Sequence, residues 1–208
     1  NEDCVHSPVL SLADHDLVFF RDQLTAWGFN PFHAAPLLRA YYAGAGEIDW
    51  TGRNTPLALR KKFADIPPVP ATLAARQQSD DGTTKLLLRL ADGRTVESVL
   101  MPDYRDDRAA GCLSSQVGCA MGCDFCATTK LGFERNLTPG EIVAQFLFLR
   151  REAATAGRKL QTVVFMGMGE PLLNLDAVIA AIRRIADNDL GSLGWRQITV
   201  STVGMVPG

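Results

Sequence analysis

Strand and helix signals alternate along the second half of the chain, and this alternation constrains the fold more than any other feature. From Gly111 onward, the β-branched and apolar runs 161–166 and 197–203 are typical of buried parallel strands. Between them, Val178, Ile179, Ile182 and Ile185 repeat at helical spacing. Strands separated by helices favour an α/β fold with a parallel sheet, either a barrel or a doubly wound layer.

One helix of this region has a well-marked start. Thr138 is suited to the N-cap, Pro139 to the first helical position and Glu141 to the returning half of a capping box. The apolar run 142–149 follows directly. We therefore predict a helix that begins next to Thr138.

The first third of the chain has a helical pattern instead. Apolar residues recur three and four apart around 17–27 and again around 34–42, which predicts a small helical domain ending near residue 65. Residues 66–70 carry three prolines, cannot continue a helix and indicate a linker.

A β-hairpin is predicted after this linker. Residues 84–90 and 94–101 are apolar-rich and flank Asp92-Gly93, a strong hairpin-turn signal. We expect the hairpin to connect the helical domain to the α/β core. The predicted organisation is a helical domain at 1–66, a linker and hairpin extension at 67–104, and an α/β region at 105–208.

Composition limits how the chain could contact nucleic acid. With 21 basic and 23 acidic residues it lacks an overall positive field, so RNA contact would need a local patch. Arg53, Arg60, Lys61 and Lys62 could contact phosphates, although an exposed basic run is more often a solvated face. We expect no membrane association and a cytoplasmic location, because no apolar run reaches the roughly 18 residues of a membrane span and no signal peptide is evident.

Four of the five cysteines lie between residues 112 and 126, which indicates a metal or redox site in a reducing compartment. Cys119, Cys123 and Cys126 have the spacing C-x3-C-x2-C. Three thiolates on a four-iron cluster leave one iron open to bind a substrate. The alternative is a structural zinc site with Cys112 as fourth ligand, which would make the chain a non-enzymatic, zinc-stabilised RNA-binding module.

A second motif, Gly167-Met168-Gly169-Glu170-Pro171, follows the predicted strand 161–166. Active sites of α/β proteins form at the carboxyl ends of parallel strands. Gly169 would let a ligand approach the backbone, and Glu170 could accept hydrogen bonds from a cationic amine, although a glycine pair after a strand is more often a plain turn. Ser201, at the end of the next predicted strand, is a third candidate contact.

Several motifs together resemble the RlmN family of radical S-adenosylmethionine (radical SAM) RNA methyltransferases. They are the runs 112–119, 132–138, 167–174 and 201–204 together with the cysteine loop. The resemblance implies a partial (β/α) barrel, incomplete in this chain. It also implies a [4Fe-4S] cluster on Cys119, Cys123 and Cys126, and S-adenosylmethionine bound through four residues: Gly169, Glu170, Ser201 and Phe125. For Phe125, packing in the core is an equally good interpretation.

The resemblance also implies a reaction, the methylation of adenine carbon 2 in 23S rRNA and tRNA through a methyl-cysteine intermediate. Glu97 would accept a proton, and Cys112 would form a transient disulfide with the methyl-carrying cysteine. Without the resemblance, Glu97 would be interpreted as a solvated hairpin carboxylate and Cys112 as a small buried hydrophobe. The family further implies an electron donor such as flavodoxin and a monomeric protein.

Two further expectations concern the family comparison. Cfr-type carbon-8 methyltransferases usually have Cys at position 117 and Ala at 171, so Val117 and Pro171 favour the carbon-2 enzymes. The methyl-carrying cysteine lies near the end of family chains, and no cysteine follows Cys126 here. We therefore expect the sequence to be a piece of a longer enzyme that does not complete the reaction alone.

Overall fold

A mixed six-stranded sheet forms the centre of the structure, a computed structural model that describes residues 11–64, 66 and 69–205. Its strands are β1 Ala71–Gln78, β2 Thr84–Leu90, β3 Thr95–Pro102, β4 Arg108–Cys112, β7 Lys159–Phe165 and β8 Ile198–Val200, in the order β1-β2-β3-β4-β7-β8. The first four pair antiparallel, whereas β4, β7 and β8 are parallel. The parallel strands form an open sheet, as expected for part of a β/α barrel.

The predicted hairpin is confirmed, and it belongs to the same sheet as the parallel strands. Residues 84–89 pair with 95–100 around a turn in which Gly93 has φ +85°. Two strands of this sheet were not predicted, β1 at the sheet edge and β4 next to β3. The predicted strand 197–203 is shorter than expected, since regular pairing covers only β8.

Five helices accompany the sheet in the described part of the chain: α1 Leu17–Ala26, α2 Ala34–Ala43, α3 Leu57–Ala64, α4 Pro139–Thr155 and α5 Leu175–Ala186. The predicted start of α4 is confirmed. Thr138 Oγ1 accepts a hydrogen bond from Glu141 N at 3.1 Å, and Glu141 Oε2 accepts one from Thr138 N at 2.9 Å. This capping box satisfies backbone donors that would otherwise lack partners.

The two faces of the sheet have different environments. Ser98 on β3 is buried and donates a hydrogen bond to Gln145 Oε1 of α4 at 2.9 Å, so its face is covered by that helix. Glu97 and Val99 alternate with Ser98 and lie on the opposite face. Cys112 pairs directly with Val99, so Glu97 and Cys112 share the face that α4 leaves uncovered.

The N-terminal helices pack on the same core as the sheet. Phe20, Leu24 and Tyr41 are fully buried in one hydrophobic cluster with residues of α4 and β3. Arg151 of α4 also donates to Ala45 O at 2.8 Å. Within the predicted linker, Pro67 and Pro68 lie outside the described residues. No helix among the described residues is long and apolar enough to cross a membrane.

Candidate cluster and cofactor site

A cavity of about 330 Å³ opens at the carboxyl ends of β7 and β8. It brings together seven of the nine predicted site residues: Cys119, Cys123, Phe125, Cys126, Gly169, Glu170 and Ser201. The cavity also includes Met166, Thr202 and Val203, to which the sequence analysis assigned no role in the site. Its volume is within the range of small-molecule sites, about 300–1,000 Å³. The two remaining predicted residues, Glu97 and Cys112, do not line it.

The cysteine loop is closed at its base by a separate two-stranded sheet, β5 Gln116–Gly118 paired antiparallel with β6 Phe133–Asn136. Cys119 N donates a hydrogen bond to Gly132 O at 2.9 Å. Gly118 has φ +74°, and any Cβ there would collide with Gly132 O. Only glycine therefore fits at this position, where β5 approaches the backbone of Gly132. The strand pair therefore fixes both ends of the segment that carries the three thiols.

The environment of Cys126 favours a thiolate ligand. Burial raises the pKa of this thiol, but hydrogen bonds from Thr129 and Thr128 outweigh burial and the pKa is lowered. Cys119 is buried, whereas Cys123 and Cys126 are half-buried. Deprotonated thiols are the form that binds iron.

The thiols line one cavity without converging on a single point. The described residues contain no group of three or more His, Cys, Asp or Glu side chains close enough to hold one metal ion. The predicted fourth zinc ligand, Cys112, lies on β4 outside the cavity. The arrangement therefore fits a cluster better than zinc.

Glu170 is almost completely buried, and its carboxylate is held by three donors. Oε1 accepts from Leu172 N at 3.0 Å and from Thr202 Oγ1 at 2.6 Å, and Oε2 accepts from Val203 N at 3.0 Å. Burial raises the pKa of this carboxyl, but these hydrogen bonds outweigh burial and the pKa is lowered. Glu170 is therefore ionised, and a carboxylate has about four acceptor positions, so room remains for a further donor.

A network of buried side chains, not foreseen from the sequence, joins Glu170 to the cysteine loop. Gln116 Oε1 accepts from Glu170 N at 2.8 Å, and Gln116 Nε2 donates to Asn136 Oδ1 at 2.7 Å. Ser114 Oγ accepts from Met168 N at 2.9 Å and donates to Glu97 O at 2.6 Å. The one available signal was a run of polar residues, 114–116, between apolar ones, since buried polar groups need partners.

Phe125 and Ser201 lie at the rim of the cavity. Phe125 is 94% exposed, so the alternative interpretation of this residue as core packing is excluded. Ser201 continues the path of β8, because its N–H donates to Phe165 O at 3.3 Å. An exposed aromatic ring beside the cysteines is free to stack on a planar ligand.

Glu97 and Cys112 lie close to the cavity without lining it. Burial raises the pKa of the Cys112 thiol, and a hydrogen bond from the backbone of Met166, which lines the cavity, only partly opposes this. Glu97 is half-exposed and forms an ion pair with Lys85 at 3.3 Å. The four described cysteines are all free thiols.

The predicted basic residues do not form one free patch. Arg60 donates to the carbonyl oxygens of Thr55 and Arg53 and lies over the Trp50 ring, so it holds its own loop together. Lys62 lies over the Trp27 ring. Arg53 Nε bonds to a backbone carbonyl, and Lys61 is exposed.

The chain belongs to the radical SAM superfamily. Residues 113–208 match the model of that superfamily, and these residues include the whole cavity. The fold also matches the crystal structure of a radical SAM methyltransferase from Sphaerobacter thermophilus, with a TM-score of 0.87 and 40% identity over 95% of this chain and 58% of that one. Membership of the superfamily implies a [4Fe-4S] cluster and S-adenosylmethionine as cofactors.

Within the superfamily the chain is of the RlmN type. It is 68% identical over 199 residues to the "Probable dual-specificity RNA methyltransferase RlmN 1" of Opitutus terrae, covering 95% of this chain and 56% of that protein. It is 51% identical to the dual-specificity RNA methyltransferase RlmN of Syntrophobacter fumaroxidans, covering 91% and 56%. The chain therefore spans little more than half the length of these relatives.

Proposed function

We propose that the chain is the cluster- and cofactor-binding part of an RNA methyltransferase that acts on carbon 2 of adenine in 23S rRNA and tRNA. The supporting observation is the single cavity in which three thiols, a buried carboxylate and an exposed aromatic ring meet. When bound, the reduced cluster supplies the electron that splits S-adenosylmethionine and yields a radical able to take hydrogen from a methyl group.

The residues of the cavity divide into two groups. Cys119, Cys123 and Cys126 would hold the cluster as thiolates. The ionised Glu170 and the backbone at Gly169 would receive the cationic amine of S-adenosylmethionine, with two further contacts from Ser201 and Phe125. Because Glu170 also binds Thr202 and Val203, it would orient the end of β8 towards the same ligand.

Glu97 and Cys112 would act on the RNA adduct and not on the cofactor. Both lie on the sheet face that α4 leaves uncovered, and Cys112 contacts the backbone of Met166 at the cavity wall. Glu97 is accessible enough to take a proton. Cys112 would attack the sulfur of the methyl-carrying cysteine, so that an S–S bond forms and the bond from that sulfur to the RNA-bound carbon breaks. The electron pair would leave with that carbon, which takes up a proton to become the methyl group. No cysteine follows Cys126 in this sequence. We also propose flavodoxin or a similar protein as electron donor and a monomeric, cytoplasmic enzyme.

A carbon-8 methyltransferase of the Cfr type is the alternative within the same superfamily. Val117 and Pro171 favour carbon 2. The products distinguish the two: the two nucleosides have equal mass, so they are separated by liquid chromatography against standards before mass spectrometry. RNA treated with the active enzyme should give 2-methyladenosine and no 8-methyladenosine.

The site itself is tested by reconstituting the chain anaerobically with iron and sulfide and recording electron paramagnetic resonance spectra with and without S-adenosylmethionine. We expect a four-iron signal that S-adenosylmethionine shifts. Cys126→Ala should lose the four-iron signal, whereas Cys112→Ala is the matched control and should keep both the signal and its shift. Equal loss in both variants, or uptake of zinc in place of iron, would contradict the assignment.

A further inference from the structure

A second cavity lies at the opposite end of β7 from the cluster site. It has a volume of about 370 Å³ and is lined by the start of β7, the last turns of α4 and the loop 191–194. From Lys159 to Phe165, β7 spans about 20 Å at about 3.3 Å per residue. The cavity is therefore separate from the candidate active site.

The lining of this cavity is cationic and contains no carboxylate. Arg150, Arg158 and Lys159 contribute three positive charges, and the remaining polar side chains are Gln161, Ser192 and Gln197. Within the described ranges, none of the three cations forms a salt bridge. The other described cavity that contains arginines differs, because it also includes three aspartates.

The two arginines retain free donors. Arg150 uses one guanidinium nitrogen to donate to Gly191 O at 3.2 Å, and it lies over the Phe146 ring. Arg158 likewise uses one nitrogen, bonding to the carbonyl oxygens of Arg105 and Arg108. A guanidinium has five N–H donors in a fork that matches an oxyanion, so several donors on each side chain remain available.

Arg150 is also partly withdrawn from water. Burial lowers the pKa of its guanidinium, and no carboxylate opposes the effect. A partly buried cation without a counter-ion is unfavourable, and an anion held by charge-assisted hydrogen bonds offsets that cost.

We propose that this cavity binds a phosphate group, with Arg150 and Arg158 donating to its oxygens and Lys159 adding charge at the rim. The group could belong to an RNA backbone or to a free phosphate. The site does not depend on the cluster or on the proposed methylation, and its test is independent of both.

The test is a titration of the full chain with inorganic phosphate at constant ionic strength, followed by calorimetry and ³¹P line broadening. We expect saturable binding that weakens about tenfold in Arg150→Met and about threefold in Lys159→Met, the effect of removing one charged hydrogen bond or one nearby charge. Lys159 is exposed, so its replacement keeps the test valid if Arg150→Met fails to fold. Arg21→Met changes the charge equally at an exposed position on α1 and should bind like the wild type.

The source of the phosphate is resolved by adding a short RNA. Displacement of inorganic phosphate by the RNA would assign the site to the RNA backbone, and simultaneous binding would assign it to a free phosphate; either result supports the site. The absence of saturable phosphate binding, or equal affinity in the wild type, Arg150→Met and Lys159→Met, would overturn the proposal.

Discussion

The side-chain carbonyl of Gln116 accepts a hydrogen bond from the backbone N–H of Glu170 at 2.8 Å. The two residues lie 54 positions apart, at the entrance to the cysteine loop and at the end of the strand beside it. Gln116 is 1% exposed, so this contact is shielded from water. The position of Glu170 is thus tied to β5, the strand that leads into the cysteine loop.

Replacing Gln116 should weaken this connection. Gln116→Leu would leave the buried Glu170 N without a partner, at about 1–3 kcal/mol, whereas Asn136 is exposed and its Oδ1 can bind water instead. We expect a lower free energy of unfolding. The cluster should take up as much iron as in the wild type, but its spectrum should need a higher S-adenosylmethionine concentration to reach half of the full shift. Gln77→Leu, on the exposed edge strand β1, should change neither. If the spectral shift in Gln116→Leu needs the same S-adenosylmethionine concentration as in the wild type, Glu170 is positioned without Gln116.

Gly169 should not tolerate a methyl group. Its φ is +99°, and a Cβ would lie 2.5 Å from Gln116 Cβ. Gly157 is the control, since its φ is +69° and a Cβ added there would have no heavy atom within 4 Å. Gly157→Ala should cost about 1 kcal/mol for the left-handed backbone alone. Gly169→Ala should cost at least about 2 kcal/mol more from overpacking. Chemical denaturation measures the free energy of unfolding of both variants. An equal decrease in Gly169→Ala and Gly157→Ala would exclude the steric explanation.

Arg135 should stabilise the start of α4 much more than its neighbour Arg94 does. Arg135 forms a bidentate pair with Glu141, both bonds 2.8 Å, and the Glu141 side chain is only 8% exposed. Arg135→Met should lower the free energy of unfolding by about 3 kcal/mol, because it leaves a buried carboxylate unpaired. Arg94 pairs with Glu134 at an exposed position, and Arg94→Met should cost less than about 1 kcal/mol. Chemical denaturation measures both values. A similar decrease in the free energy of unfolding in Arg135→Met and Arg94→Met would mean that the bidentate pair does not contribute more than the exposed one.

His15 should make stability depend on pH. Burial and Arg184 lower the pKa of this imidazole below 6.5, against the opposing effects of the Ser11 carbonyl, Asp14 and Asp16. Below pH 6.5 the unfolded chain therefore binds a proton that the folded chain does not, and stability falls as the pH drops towards the folded pKa. Above this range the group has no effect.

The measurement is the free energy of unfolding between about pH 5 and pH 7.5, the range in which histidine linkage operates. The decrease towards acid pH should be smaller in His15→Gln than in the wild type. An unchanged slope in His15→Gln would refute the linkage.

The elements predicted correctly are those specified by neighbouring residues. The start of α4 is encoded within Thr138–Glu141, and the hairpin turn within Asp92–Gly93. By contrast, β1 lacks alternation and has one buried residue, so its structure depends on pairing with β2. Strand β4 is rich in small residues for a tertiary reason, since a Cβ on Gly111 would lie 2.9 Å from Leu149 of α4.

In the candidate site, too, features encoded by neighbouring residues could be predicted and features that depend on tertiary contacts could not. The cysteines and Gly169-Glu170 are contiguous motifs, and the rule that parallel strands end at one edge was enough to bring them together. Gln116 and Asn136 could not be assigned, because their partners come from other segments. The exposure of Phe125 also could not be inferred, since a short loop motif does not indicate which side chains the core will cover.

The edge strand β1 bears on how copies of the chain behave towards one another. A strand with seven of eight residues exposed has backbone groups that could pair with another chain and begin aggregation. Its pairing register shifts between Leu73 and Ala75, which bends the edge. Arg76 also places a positive charge on this strand, where it forms a salt bridge with Glu152. The protein thereby protects the longest open edge of its sheet against intermolecular β-pairing.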